Sequence, residues 1–223
     1  MLRILIFFIL PLISFCQKKY VFDYALVMNE TCDLHTKPIP MIYLVNSKNN
    51  SILYYVHDKD SINYICHFTD RNGIFSNNEI KKADFFRAET INNNCDNVHK
   101  YSPEDQKKDY DFKNLKDTII NDTTYYHYEL RCNKSLKYQK RRKILAYNFI
   151  INKNQSSISP FLYNSSAYEK WKVYKNIPNG FPKMIYYSNL EGKVVTTYKI
   201  NILKIDKYFT IPKECDYSEN KND

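Results

Sequence analysis

Two short pairs in this 223-residue chain have the donor types and spacing to begin a metal site: Cys32-x-x-His35 and Cys95-x-x-x-His99. A tetrahedral zinc takes four such donors, so a shared site would draw two from each pair. Neither pair shows the doubled spacing of a zinc module, and oxidation competes for both thiols, so the expectation is no metal. Acidic pairs stand at Asp58/Asp60 and Asp109/Asp111. Glycosidases and calcium loops use paired carboxylates, but no loop pattern fixes the geometry of these, and they read as solvated turn acids. With three glycines in all, the chain contains no G-x-G-x-x-G, no P-loop and no G-x-S-x-G. Phosphate cradling and the nucleophile elbow therefore have no sequence support. The five histidines are scattered, and no catalytic residue or cofactor is assigned.

Charge gives one further candidate. The run Lys137–Lys143 concentrates Lys140, Arg141, Arg142 and Lys143. Such a cluster suits anionic lipid headgroups or sugar phosphates, a peripheral membrane contact, with a solvated loop as the plainer reading. The net charge of +9 does not point to nucleic acid, because lysines outnumber arginines 27 to 6 and base recognition draws on the bidentate arginine fork. The 21 tyrosines and 13 phenylalanines could stack on a glycan or a single strand. Alternation places most of them beside Ile, Val and Leu, which favours core and sheet packing.

The elements that must position these groups begin after a segment that is not part of the fold. Met1-Leu2-Arg3 precedes a nearly unbroken apolar run, Ile4–Phe15. A membrane helix needs about 20 residues, so this run fits a secretory signal peptide cut after Cys16. Acylation of a retained Cys16 is the rival, and the bulky Phe15 counts against it. The expectation is a signal peptide over 1–16 and one β-rich domain over 17–223. Its place would be the periplasm, the outer-membrane periphery or the exterior of a Gram-negative bacterium. Five cysteines remain, an odd number, with Cys66–Cys95 preferred as a pair on proximity alone and reduced, buried thiols as the alternative.

Alternation marks a strand over Lys18–Met28, and apolar runs predict strands at 41–46, 51–57, 61–70, 123–131 and 144–152. Arg71-Asn72-Gly73 supplies a hairpin turn. Glu79–Glu89 fits a helix or a strand. Ser102–Asp117 carries a helix start, with Ser102 as cap and Pro103 at the first position, although a charged loop fits too. Ser165-Ser166 could cap a short helix through Trp171. Three strands close the chain, at 183–188, 194–205 and 208–211. The sum is a mainly β, single domain of about ten antiparallel strands, forming a strongly curved sheet or incomplete barrel with one or two short helices.

The stretch Ile177-Pro178-Asn179-Gly180-Phe181-Pro182-Lys183-Met184-Ile185-Tyr186, preceded by Ala167-Tyr168-Glu169-Lys170-Trp171, resembles the GLPGLI-type exported proteins of Bacteroidetes. Gly180, Pro182 and Ile185 keep that family's spacing, while Lys183 replaces its second glycine. The ending Tyr208-Phe209-Thr210-Ile211-Pro212 resembles the last strand of bacterial lipoprotein carriers, whose incomplete barrel cups an acyl chain. The resemblance covers about a quarter of the chain and brings no catalytic residues. It implies an envelope protein of twisted antiparallel sheet. With no catalytic constellation in the chain, the leading expectation is a non-enzymatic binding or carrier module for a lipid, another apolar ligand or a partner segment, with Tyr168, Trp171 and Phe181 as the ligand-binding candidates. An interaction protein for an envelope protein or glycan is the alternative, and a hydrolase with a site not visible in the sequence is a further one.

Overall fold

The computed structural model describes residues 17–32, 40–101 and 109–217. The expected signal peptide and His35 lie outside the described residues. The first half holds β1 (Gln17–Cys32), β2 (Pro40–Val45), β3 (Ile52–Asp58), β4 (Asn63–Asp70), β5 (Ile74–Lys81), α1 (Lys82–Arg87), β6 (Thr90–Asn92) and β7 (Val98–Lys100). The second holds β8 (Tyr110–Asn114), β9 (Thr118–Ile120), β10 (Thr123–Cys132), α2 (Leu136–Arg142), β11 (Ala146–Asn152), α3 (Ser165–Tyr174), β12 (Pro182–Ser188) and β13 (Val194–Pro212). They make one thirteen-stranded sheet in the order β7-β5-β4-β3-β2-β1-β13-β12-β11-β10-β8, with β9 on β10 and β6 on β13. Every pairing is antiparallel except β6–β13. The sheet is open and curved, as its alternating aromatic and β-branched strands led one to expect.

Several local expectations are corrected. Val194–Ile205 and Tyr208–Ile211 are one strand, β13, because its pairing with β1 resumes across the polar Asp206-Lys207. The interruption is a slip of one residue, with Phe22 facing Lys207 and Tyr24 facing Lys204. Tyr110–Asn114 is strand β8, not helix: Tyr110 and Phe112 alternate with Asp111 and Lys113 and pack on the core, and residues 102–108 lie outside the described residues. Glu79–Glu89 is both things in turn, β5 to Lys81 and then α1. The strands beyond ten are three-residue pieces such as β6, β7 and β9, too short to show a period.

Along β2 and β3 successive residues alternate between two hydrophobic clusters. Tyr43, Val45 and Leu53 belong to one, and Leu44, Ile52, Tyr54 and Val56 to the other. Since neighbouring side chains leave opposite faces of a strand, the clusters lie on opposite faces of the sheet. The first spreads over β13, β12, β11, β10 and β8 through Ile200, Ile185, Phe149, Tyr128 and Phe112. The second spreads over β4, β5 and the far end of β13 through Phe68, Ile74 and Phe209.

The second cluster is nearly ringed by its own strands. β6 bonds to the end of β13 and β7 to β5, and only Asn93–Asn97 separates them in sequence. Inside, Phe68 stacks on Phe209 at 4.4 Å, Tyr20 meets Phe68 at 4.6 Å and Tyr54 meets Phe209 at 5.3 Å. Buried rings of this kind contribute about 1.5–3 kcal/mol each by leaving water. The linker between β6 and β7 carries Cys95, which forms a disulfide with Cys215 in the turn after β13. This corrects the Cys66–Cys95 pairing: Cys66 points from β4 into the cluster, where burial pushes its thiol up to about 11, while Cys95 sits at the rim. Oxidation also removes Cys95 as a metal ligand.

Candidate binding site

The first cluster is closed by a length of chain that belongs to no sheet. Ser159–Leu162 crosses it in irregular conformation and α3 follows, burying Phe161, Leu162, Ala167 and Tyr168. The β2–β3 turn holds the entry: Ser159 N donates to Ser47 O at 2.7 Å, and Lys48 Nζ donates to Ser157 O at 2.9 Å. Asn164, not Ser165, caps α3, its Oδ1 accepting from Ser166 N at 2.8 Å and Ala167 N at 3.4 Å. After the helix, Gly180 passes Ile151 so closely that a Cβ would sit 3.0 Å from its Cγ2, and φ of +117° excludes most side chains.

A buried arginine locks this cover. Arg71, in the turn between β4 and β5, donates from Nη1 to Asn50 O at 3.0 Å and from Nη2 to Leu162 O. Its guanidinium lies 4.6 Å over the Tyr168 ring. Burial lowers its pKa to about 10, offset by the fields of Tyr101, Tyr168 and Glu169. Of the three ligand-binding candidates, Tyr168 on the cover and Phe181 beneath it are buried in the first cluster, and Trp171 is half-buried against it. Among the described residues, the hollow between Val45, Leu53, Phe161, Leu162 and Phe181 holds about 10 Å³.

Open geometry appears instead at the edge of β13. That strand bonds to β1 along its length on one side, but on the other β12 ends its register at Lys199 and β6 begins at Tyr208. From Ile200 to Lys207 the outer backbone has no strand partner among the described residues. The gap follows from the two clusters, since Tyr198 and Ile200 belong to one and Phe209 and Ile211 to the other, and the strands covering each diverge here. An open hollow of about 660 Å³ lies along it, lined by Val27, Asn152, Lys183, Ile200, Ile202 and Leu203. Leu203 is 52% exposed, and Lys183 and Lys204 are exposed beside it. Lys207 closes one end, donating to the carbonyls of Phe85 (2.8 Å) and Ala88 at the end of α1, and burial lowers its pKa.

The remaining sequence candidates are dispersed. Lys140, Arg141 and Arg142 are exposed at the end of α2, with Lys143 as its left-handed cap, so the basic run is helical and not a loop. Each acid has structural partners: Asp58 with Lys82, Asp109 with Lys134, Asp111 with Lys170, and Asp60 with the Ile62 and Asn63 amides. His127 Nε2 lies 3.0 Å from Asn148 Oδ1 and 3.2 Å from the Tyr186 hydroxyl, contacts that activate no nucleophile. Sequence reasoning missed the open edge, because it arises where strands distant in the chain stop pairing. It also missed Arg71, although the Asn-Gly turn that carries it was legible.

No protein-family model matches the sequence, and no curated protein matches it. The GLPGLI-type resemblance therefore rests on Gly180, Pro182 and Ile185. Among solved structures, the Pseudomonas aeruginosa MucA/MucB complex overlays on 84% of this chain with 6% identity and a TM-score of 0.38. This chain spans only 51% of the length of that structure. A LolA superfamily protein from Nitrosomonas europaea overlays on 83% of this chain and 86% of its own, with 11% identity and a TM-score of 0.31. Overlays this loose leave function to be argued from the residues of this chain.

Proposed function

We propose that this protein is a non-enzymatic binding module that adds an extended partner segment to the free edge of β13. The observation that carries this is the run Ile200–Lys207 between β12 and β6, which has no strand partner on that side among the described residues. Unpaired amides and carbonyls on a sheet edge are a template for strand addition, and alternate side chains supply selectivity. Val27, Ile202 and Leu203 call for apolar residues on the incoming strand, and Lys183 and Lys204 for acidic ones. With the leader over 1–16 removed, the single domain 17–223 would act in the cell envelope.

The probe is a Val-Glu repeat peptide of about six residues, roughly 20 Å when extended. Backbone amide NMR should show shifts concentrated on Ile200–Lys207, and Lys183→Glu with Lys204→Glu should weaken binding about tenfold. A Val-Lys peptide that binds equally well, or shifts centred elsewhere, would reject the proposal.

A second reading has its own observation: the first cluster is covered by irregular chain and one helix, not by a second sheet. An apolar ligand such as a lipid would take the place of Phe161 and Leu162 if the cover lifted. Native mass spectrometry of freshly purified protein decides it. A bound lipid mass supports this reading, and its absence removes it.

A further inference from the structure

Away from the β13 edge, β3 and β4 bring two histidines together. His57 and His67 face each other with Nε2 atoms 3.3 Å apart and ring planes within 10°. The opposite nitrogen of each ring is committed. His67 Nδ1 lies 2.7 Å from Asn77 Oδ1, and His57 Nδ1 lies 3.2 Å from the backbone oxygen of Asp58. A carbonyl oxygen only accepts, so with Asn77 Oδ1 facing His67 the tautomer that satisfies both oxygens carries Nδ1–H on each ring. A neutral imidazole has one N–H, which leaves both Nε2 atoms as bare acceptors pointed at one another. Two lone pairs at this distance gain nothing from each other. A cation between them gains from both.

We propose that His57 and His67 form a two-histidine site for a borderline divalent cation of the zinc, copper and nickel class. Imidazole nitrogens are the donors this class prefers. Zinc–nitrogen bonds of about 2.0–2.1 Å at a tetrahedral angle put adjacent nitrogens about 3.3 Å apart. The separation in the protein is that value before any metal is added. The Nδ1 partners are the second element of such a site, since a ligating imidazole donates its other N–H to an oxygen that fixes tautomer and ring orientation. Tyr55 packs its ring within 5.2 Å of His57 and 5.7 Å of His67, holding both. Both histidines are half-exposed, so water can complete the coordination. Among the described residues no third His, Cys, Asp or Glu converges there, which makes this a site for exchangeable metal and not for a structural one.

Long-range proton–nitrogen NMR of the full chain, first in chelated buffer and then with zinc sulfate, tests the site directly. In the metal-free protein both rings should show Nδ1–H. Zinc should then move both Nε2 resonances together, saturating at one equivalent. His57→Gln and His67→Gln should each abolish the response, and Asn77→Ala should weaken zinc binding about tenfold through lost orientation of His67. Three results would overturn the proposal: an Nε2–H on His67, which would mean that the Asn77 amide donates to it; no movement of either ring with zinc; or an unchanged zinc affinity in the variant lacking both histidines.

Discussion

The two faces of this sheet are closed by different means. The second cluster is sealed by strands that bend round it, by stacked rings and by the Cys95–Cys215 bond across its rim. Lys18 adds polar ties there, reaching Asp216 at 2.8 Å and Asp70 at 3.9 Å, while the Tyr20 hydroxyl donates to Asp70 at 3.2 Å. Burial first, and then the Asp70 charge, raise the Tyr20 pKa and keep that hydroxyl a donor. The first cluster is larger, yet the strands do not close it. Its lid is a length of chain held by turn hydrogen bonds and by one buried cation. The difference assigns rigidity to one half and a removable part to the other.

Removing the cation should give the largest effect. Arg71→Met keeps the apolar stem but leaves Leu162 O and Asn50 O without their donor. Leaving a buried acceptor unsatisfied costs about 1–3 kcal/mol, so about 4 kcal/mol is expected for the two carbonyls together. Hydrogen exchange should locate the loss in 159–174 and leave Tyr54 and Phe68 protected. Equal loss in both regions would mean that the two clusters open as one, and the contrast between them would fail.

The disulfide is the reverse case. Cys95→Ser with Cys215→Ser opens a link between residues 120 apart in sequence. Disulfides typically contribute about 2–4 kcal/mol, in part by restricting the unfolded chain, and about 3 kcal/mol is expected here. Chemical denaturation should show that fall, and exchange should quicken at β6 and β7 before it does at α3. Faster exchange at α3 first would place the covalent tie in the wrong half.

Much of this contrast was legible in the chain and some could not be. Period-2 alternation at Tyr20, Phe22, Tyr24 and Leu26 marks β1 without ambiguity, and the Asn-Gly turn at 72–73 fixes the β4–β5 hairpin. What alternation cannot show is which face a strand shares with a distant one. Phe22 and Tyr24 carry the same pattern and end in different clusters, because the pairing with β13 slips between them. Arg71 reads as an exposed turn residue until Leu162, 91 positions later, is laid over it. Cys215 likewise gives no spacing signal for Cys95. The His57–His67 contact was closer to hand, since both residues fall in the consecutive strands predicted at 51–57 and 61–70, but its geometry needed the register.

The smallest expected effect tests whether exposed charges help to hold the cover. Lys170 of α3 reaches Asp111 of β8 at 2.5 Å, and Asn133 Nδ2 donates to the same carboxylate at 3.0 Å. The hydrogen bond from Lys170, then that from Asn133, hold the Asp111 carboxyl below its ordinary value. With the folded pKa depressed, the bridge stabilises fully above the unfolded carboxylate range and is lost as pH falls through the folded value. Asp111 is exposed and Lys170 only half-buried, so Asp111→Asn should cost about 0.5 kcal/mol at pH 7 and nothing at a pH low enough to protonate the folded carboxyl. Urea denaturation of both proteins at the two pH values measures it. A cost at pH 7 as large as that of Arg71→Met would mean that the cover is held from outside, and the buried arginine would lose its place as the lock.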